Sequence, residues 1–188
     1  MFINGTDISE NKVNIGYMPQ KDSLLPFRTI RQNVFLGLEI QGKKTKENME
    51  YGENLLRTYG LGDFMNKYPS QLSGGMRQRA ALLRTYLFSQ DVALLDEPFS
   101  ALDTLTKSAI HEWYLDIMEK IKLSTLFITH DIDEAILLSG RIYLLSGSPG
   151  TITGEIIVRE PKPRREDFSL TPEFLEYKRQ IWRCFPAR

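Results

Sequence analysis

Val92-Ala93-Leu94-Leu95 is an unbroken apolar run, bounded by Asp91 on one side and by the adjacent carboxylates Asp96-Glu97 on the other. A run of this kind without alternation predicts a strand buried on both faces of a parallel sheet. In an open α/β sheet the ligand crevice lies at the carboxyl ends of the strands, and this places Asp96 and Glu97 where a ligand binds. An aspartate there can hold the water shell of Mg²⁺, and a following glutamate can orient and deprotonate an attacking water. These are two of the parts that nucleotide hydrolysis needs. Taken alone, the pair also fits a solvated strand cap.

The flanking pattern supports an α/β layer. Lys107 to Ile121 has Ile110, Trp113, Ile117 and Ile121 on one helical side, Ser124 to Thr129 is the next strand, and Asp131 with Glu134 resembles a capping box opening a helix from Ile132 to Leu138. Arg141 to Leu145 and Thr151 to Val158 flank Ser146-Gly147-Ser148-Pro149-Gly150 and read as a hairpin. Arg159 to Arg165 reads as a surface connector, and Thr171-Pro172-Glu173 opens a last helix to about Cys184.

Before this layer, Met1 to Gln20 has two apolar pieces, Met1 to Ile3 and Val13 to Met18, separated by Asn4-Gly5-Thr6-Asp7 and closed by Pro19, which suggests a strand pair or a strand and an edge. Residues 21–90 look mostly helical. Thr29 caps a segment with Ile30, Val34 and Leu38 at helical spacing, and Gly42-Lys43-Lys44 ends it. Glu47 to Tyr59 is amphipathic and stops at Gly60-Leu61-Gly62. From a start near Ser73, Met76, Ala80, Leu83 and Leu87 form one buried stripe and leave Arg77, Gln78 and Arg84 on other faces. The expected organisation is one domain over 1–188, with a helical subdomain at 21–90, core strands and helices at 91–158, and a connector and helix at 159–188.

Composition narrows the function. At 188 residues and 41% apolar the chain can bury a substantial core. Lys plus Arg and Asp plus Glu each number 24, so no general attraction to nucleic acid or acidic lipid is expected and a polyanion must be met locally. The lone Cys184 excludes an intramolecular disulfide framework and a Cys-rich metal site, and it fits a reducing compartment. The apolar runs last a few residues, against roughly 20 for a bilayer span, and Met1 to Glu10 has neither a basic start nor an apolar core of a signal.

A second motif points to phosphate. Leu72-Ser73-Gly74-Gly75-Met76-Arg77-Gln78-Arg79 puts a serine and two glycines at a helix start, where unpaired N–H groups favour an anion. Ser-Gly-Gly alone also fits an ordinary cap. Tyr17-Met18-Pro19-Gln20, Leu72 to Arg79, Val92 to Glu97, Ser100-Ala101-Leu102-Asp103 and Ile128-Thr129-His130-Asp131 together resemble, in order and spacing, the Q-loop, signature, Walker B, D-loop and H-loop of an ABC-transporter ATPase subunit. The similarity covers Met1 to about Val158. Arg28 to Val34 and the tail Gly147 to Ile152 with Lys162-Pro163-Arg164-Arg165 resemble the nitrate, sulfonate and taurine importer branch.

The resemblance implies a fold, ligands and roles. The fold is an α/β P-loop NTPase of RecA-like ABC type with an inserted helical signature subdomain, and the ligands are ATP and Mg²⁺. Gln20 would touch the Mg²⁺ and water region, Asp96 would support Mg²⁺, Glu97 would be the general base, and His130 would bind the γ-phosphate. Ser73, Gly74, Gly75 and Gln78 would contact nucleotide held by the opposite subunit, with Asp103 at the dimer interface. The implied partners are a transmembrane permease, a second ATPase subunit in a head-to-tail dimer and, indirectly, an external substrate-binding protein, with no nucleic acid. The implied location is peripheral, on the cytoplasmic side of the cell membrane. Phe27 and Phe35 are candidates for lining the permease contact or for the core, Trp113 and Trp182 read as packing residues, and His111 as structural or solvated.

No G-x-x-x-x-G-K-[ST] phosphate cradle occurs in these 188 residues, only nineteen of which precede Gln20. Met1 to Gly5 resembles the strand that follows that cradle in the family. The expectation is an N-terminally incomplete ABC core that in isolation neither binds ATP tightly nor hydrolyses it, and that exposes apolar surface on its sheet. The competing readings are a soluble ABC ATPase acting on DNA, ribosomes or cluster assembly, and a non-catalytic interaction module.

Overall fold

The computed structural model describes residues 2, 3, 6, 7, 15–89, 92–100, 107, 111, 113–116, 123–162, 164 and 167–185. Two short strands, β1 (Phe2–Ile3) and β2 (Thr6–Asp7), pair antiparallel. Strand β3 (Ile15–Met18) joins β4 (Val92–Asp96) and β5 (Ser124–Ile128) in a parallel sheet of order β3-β4-β5. Its register sets Tyr17 beside Leu94 beside Leu126, and Met18 beside Leu95 beside Phe127.

Because side chains alternate across a strand, these two rows face opposite ways. Met18, Ala93 and Leu95 are buried, while Tyr17, Leu126 and Ile128 are 57%, 56% and 55% exposed. Strand β4 is therefore covered on one face and only half-buried on the other, which corrects the expectation of burial on both faces. The exposed apolar surface anticipated from the sequence lies on that second face.

The single helix expected over Ile30 to Leu38 is instead two, α1 (Ile30–Val34) and α2 (Leu36–Ile40), broken at Phe35, where ψ rises to 1°. Thr29 and Gln32 close a capping box at the start of α1. The break turns the Phe35 ring onto Gly52, where any added Cβ would collide with it. Phe35 is 1% exposed and belongs to the core, whereas Phe27 is 73% exposed. Helix α3 (Lys46–Thr58) follows an N-cap at Thr45, and α4 (Gly74–Phe88) follows one at Ser73. Helix α4 is the centre of the larger core: Ala80, Ala81, Leu82 and Leu83 are buried in one cluster with Met18, Ile30, Leu56, Leu95 and Phe99.

A second core lies under the antiparallel hairpin. Helix α5 (Ile132–Leu138), strands β6 (Arg141–Ser146) and β7 (Thr151–Ile157), and helix α6 (Pro172–Arg183) enclose Ile136, Ile142, Leu144, Ile156, Phe168, Phe174 and Ile181.

Three sequence expectations change here. No capping box closes α5: Asp131 alone caps it, accepting from the N–H groups of Asp133 and Glu134, and the Glu134 carboxylate turns inward. The connector at 159–165 is not wholly on the surface, since Lys162 Nζ donates to the Leu138 carbonyl at 2.7 Å and the buried Arg164 donates through Nη2 to the Ser139 carbonyl at 2.7 Å. These two cations satisfy carbonyls at the negative end of α5. Trp113 packs edge-on against Tyr59, but Trp182 stands 62% exposed on α6. Among the described residues no helix is long and apolar enough to cross a membrane.

Candidate functional site

Three residues from different stretches of the chain meet at the carboxyl ends of the parallel strands. Gln20 lies two residues beyond β3, Glu97 one beyond β4 and His130 two beyond β5. Gln20 Nε2 donates to Glu97 Oε2 at 2.8 Å, and His130 Nδ1 lies 2.9 Å from Glu97 Oε1. Glu97 thus has a partner on each carboxylate oxygen. Its backbone has φ of 44°, in the left-handed region that a non-glycine residue seldom occupies and that clusters at functional sites. The turn is pinned by its N–H to the Ile128 carbonyl at 2.8 Å, and by Ser100, whose N–H and hydroxyl both reach the Glu97 carbonyl. Asp96 at the end of β4 accepts from the Tyr17 hydroxyl at 3.4 Å.

Behind His130 lies a second polar group. Glu134, 2% exposed, accepts from the Thr129 hydroxyl at 2.7 Å and faces Lys107 at 2.9 Å and His111 at 3.5 Å. Burial pushes the Glu134 carboxyl pKa up, but hydrogen bonds from His111, Lys107 and Thr129 outweigh it and bring it down to about 2. Lys107 is held above its ordinary range by Glu134 and Asp131 against the desolvation that opposes this. His111 is a half-buried structural residue, stacked edge-on against Phe99.

At the start of α4 the Ser73 hydroxyl accepts from the Met76 N–H at 3.3 Å, and a Cβ placed on Gly74 would meet nothing within 4 Å. That open backbone end is where an anion can approach. Gln78 differs from its expected placement. It is 3% exposed, and its Nε2 donates to the Pro98 carbonyl beside Glu97, so it braces the turn from inside. Asp103 lies outside the described residues.

The sequence did not foretell the part played by two arginines of α4. Arg77 Nε donates to Asp22 Oδ2 at 2.9 Å, and Arg84 donates to the carbonyls of Asp22 and Ser23 at 2.8 Å each. They fasten the loop after Gln20 to the helix that begins with Ser73. Their spacing of seven residues on one helix face was the available signal, but nothing in it names Asp22 as the partner. Beside them, Tyr17, Leu36, Ile40, Arg84, Thr85 and Phe88 line an open groove of about 250 Å³.

Among the described residues no group of three or more His, Cys, Asp or Glu could hold a metal by itself. The donor set at β4 fits Mg²⁺ in its usual manner, with one or two protein oxygens and the rest from water and phosphate.

Comparison with known proteins fits this geometry. A family model described as ABC transporter matches residues 2–100. The formylaminopyrimidine import ATP-binding protein ThiZ of Halalkalibacterium halodurans is 45% identical over 93% of this chain and 69% of its own length. The nitrate import ATP-binding protein NrtD of a Synechocystis species is 40% identical over 95% of this chain and 70% of its own. Among solved structures, the dimeric post-hydrolysis state of the ATP-binding cassette MJ0796 bound to ADP and Pi overlays with a TM-score of 0.68 at 26% identity, covering 84% of this chain and 72% of that one.

Proposed function

This chain belongs to the ABC transporter family of ATPases, and from that premise we propose that it energises the import of a small anion through a membrane permease. The observation that carries the reading is the meeting of Gln20, Glu97 and His130 at the ends of three parallel strands. Relatives named for nitrate and formylaminopyrimidine import support the direction of transport.

The roles follow from what each atom can do. Glu97, with both carboxylate oxygens directed by neighbours, is the group placed to take a proton from an attacking water. The Gln20 amide orients it and lies on the loop that Arg77 and Arg84 tie to α4, so a movement of the loop and a movement of α4 are one event. His130, with a side chain 70% exposed, can turn from Glu97 to the γ-phosphate. Asp96 and Gln20 are the residues that would hold Mg²⁺, which when bound offsets the charge of the triphosphate. No cradle of the G-x-x-x-x-G-K-[ST] type occurs in these 188 residues, so the grip on the β- and γ-phosphates is assigned to none of them. Ser73, Gly74 and Gly75, at the open end of α4, face nucleotide held by a second ATPase subunit arranged head to tail. Gln78 serves from within, through Pro98.

The groove beside β3 is the docking place for the permease. It adjoins the exposed Tyr17 and Ile40 and includes Arg84, which also holds the loop after Gln20. A partner seated there would act on the Gln20 loop through Arg84 and would hold the chain peripherally at the cytoplasmic face. The test is co-purification with an integral membrane permease. The wild-type chain is expected to be retained and Ile40→Asp to be lost from the complex. Retention on nucleic acid instead of a membrane protein would overturn the reading in favour of a soluble ABC ATPase.

A further inference from the structure

His130 is exposed, so side-chain packing does not hold it in place, yet it stands within hydrogen-bond reach of Glu97. Its position must come from the backbone on either side, and both flanking residues are tied down. The Thr129 hydroxyl donates to Glu134 Oε2 at 2.7 Å and accepts from the Asp131 N–H at 2.9 Å, so one hydroxyl links the residue before His130 to the residue after it. Lys107 Nζ, 3.1 Å from Asp131 Oδ2 and 2.9 Å from Glu134 Oε1, closes the ring. Asp131 in turn accepts from the N–H groups of Asp133 and Glu134, which fixes the loop to the first turn of α5.

Such a cluster is an expensive way to fill space. A buried ion pair contributes little net stability compared with an apolar replacement of the same volume, because desolvation offsets the attraction. What an ion-paired polar network does provide is a preferred geometry, since other arrangements leave a buried charge unmatched. Here that geometry is delivered to the one residue between Thr129 and Asp131.

We propose that Glu134, acting with Lys107 and Thr129, is a positioning residue that holds the His130 imidazole against Glu97. The proposal rests on the reading of Glu97 and His130 as working partners in an ATP site. It assigns no contact with nucleotide to Glu134 itself. The anchor is inside, with Glu134 2% exposed, and the group it positions is outside.

The chain has two histidines, His111 and His130, so the imidazole signals of histidine-labelled full chain can be followed one by one by NMR at a fixed pH. In the wild-type background Glu97→Gln should shift the His130 signal, which reports their contact. In a Thr129→Val background, which removes the linking hydroxyl and keeps the side-chain shape, that shift should be lost, and Thr129→Ser should restore it. Lys107→Met cuts the same ring from its other side and should give the same loss, while a dispersed His111 signal marks the chain as folded. A Glu97→Gln shift of undiminished size in both the Thr129→Val and Lys107→Met chains would overturn the positioning role. If Glu97→Gln moves nothing in the wild-type background, the pairing of Glu97 with His130 fails first, and the functional reading beneath the proposal goes with it.

Discussion

On one face of the parallel sheet Met18, Ala93 and Leu95 are shut away from water, and on the other Tyr17, Leu126 and Ile128 stand more than half exposed. The same three strands make both faces, with apolar residues on each, so strand propensity does not explain the contrast. What differs is the neighbour. Helix α4 and the helices around it cover the first face, and among the described residues nothing comparable covers the second. Each large apolar side chain left in water forgoes about 1.5–3 kcal/mol that burial would bring. The covered face therefore stabilises this chain by itself, and the open face can stabilise only an arrangement in which another surface lies on it.

Truncations separate the two faces most sharply. Leu95→Ala, on the covered face, should cost about 2–5 kcal/mol, through lost burial and the cavity left behind. Urea unfolding would measure it, and a cost near zero would mean that the covered face is not the core. Acid should act next, on the charged cluster behind the sheet. The folded-state pKa of Glu134 is depressed, to about 2, so its contribution is fully present above the ordinary carboxylate value and is lost as pH falls toward 2. The melting temperature should decline over that window in the wild-type chain and less in Glu134→Gln. Removing the α3 cap with Thr45→Ala should cost about 1 kcal/mol, because the Asn48 N–H loses its acceptor. The smallest change is expected on the open face, where Leu126→Ser should stay within about 0.5 kcal/mol. The same substitution should reduce self-association measured by light scattering, and a large loss of stability there would show that the face is covered after all.

The sequence made the strand ends legible because it carries their signals locally. An apolar run ending in Asp96-Glu97, a serine-diglycine helix start and a threonine-histidine-aspartate after a strand each stand within a few residues. Parallel pairing then brings Gln20, Glu97 and His130 together, as α/β topology requires. Less legible was anything set by a distant partner. The burial of Gln78 depends on Pro98, the turn of Glu134 away from its own helix start depends on Lys107 and His111, and the room for the Phe35 ring depends on a glycine seventeen positions away in α3. Helical spacing places a side chain on a face but does not say what stands opposite. The one-sided burial of β4 was missed for the same reason, since an apolar run does not tell how many of its faces find cover.

The proposed hydrolysis depends most directly on Glu97 as the group that activates water. Phosphate release by the ATPase assembled with its permease, compared between wild type and Glu97→Gln, is the measurement that tests this. Turnover in Glu97→Gln is expected to fall by a factor on the order of 10² to 10⁴, with ATP still drawing the two subunits together. Hydrolysis at the wild-type rate in Glu97→Gln would contradict it.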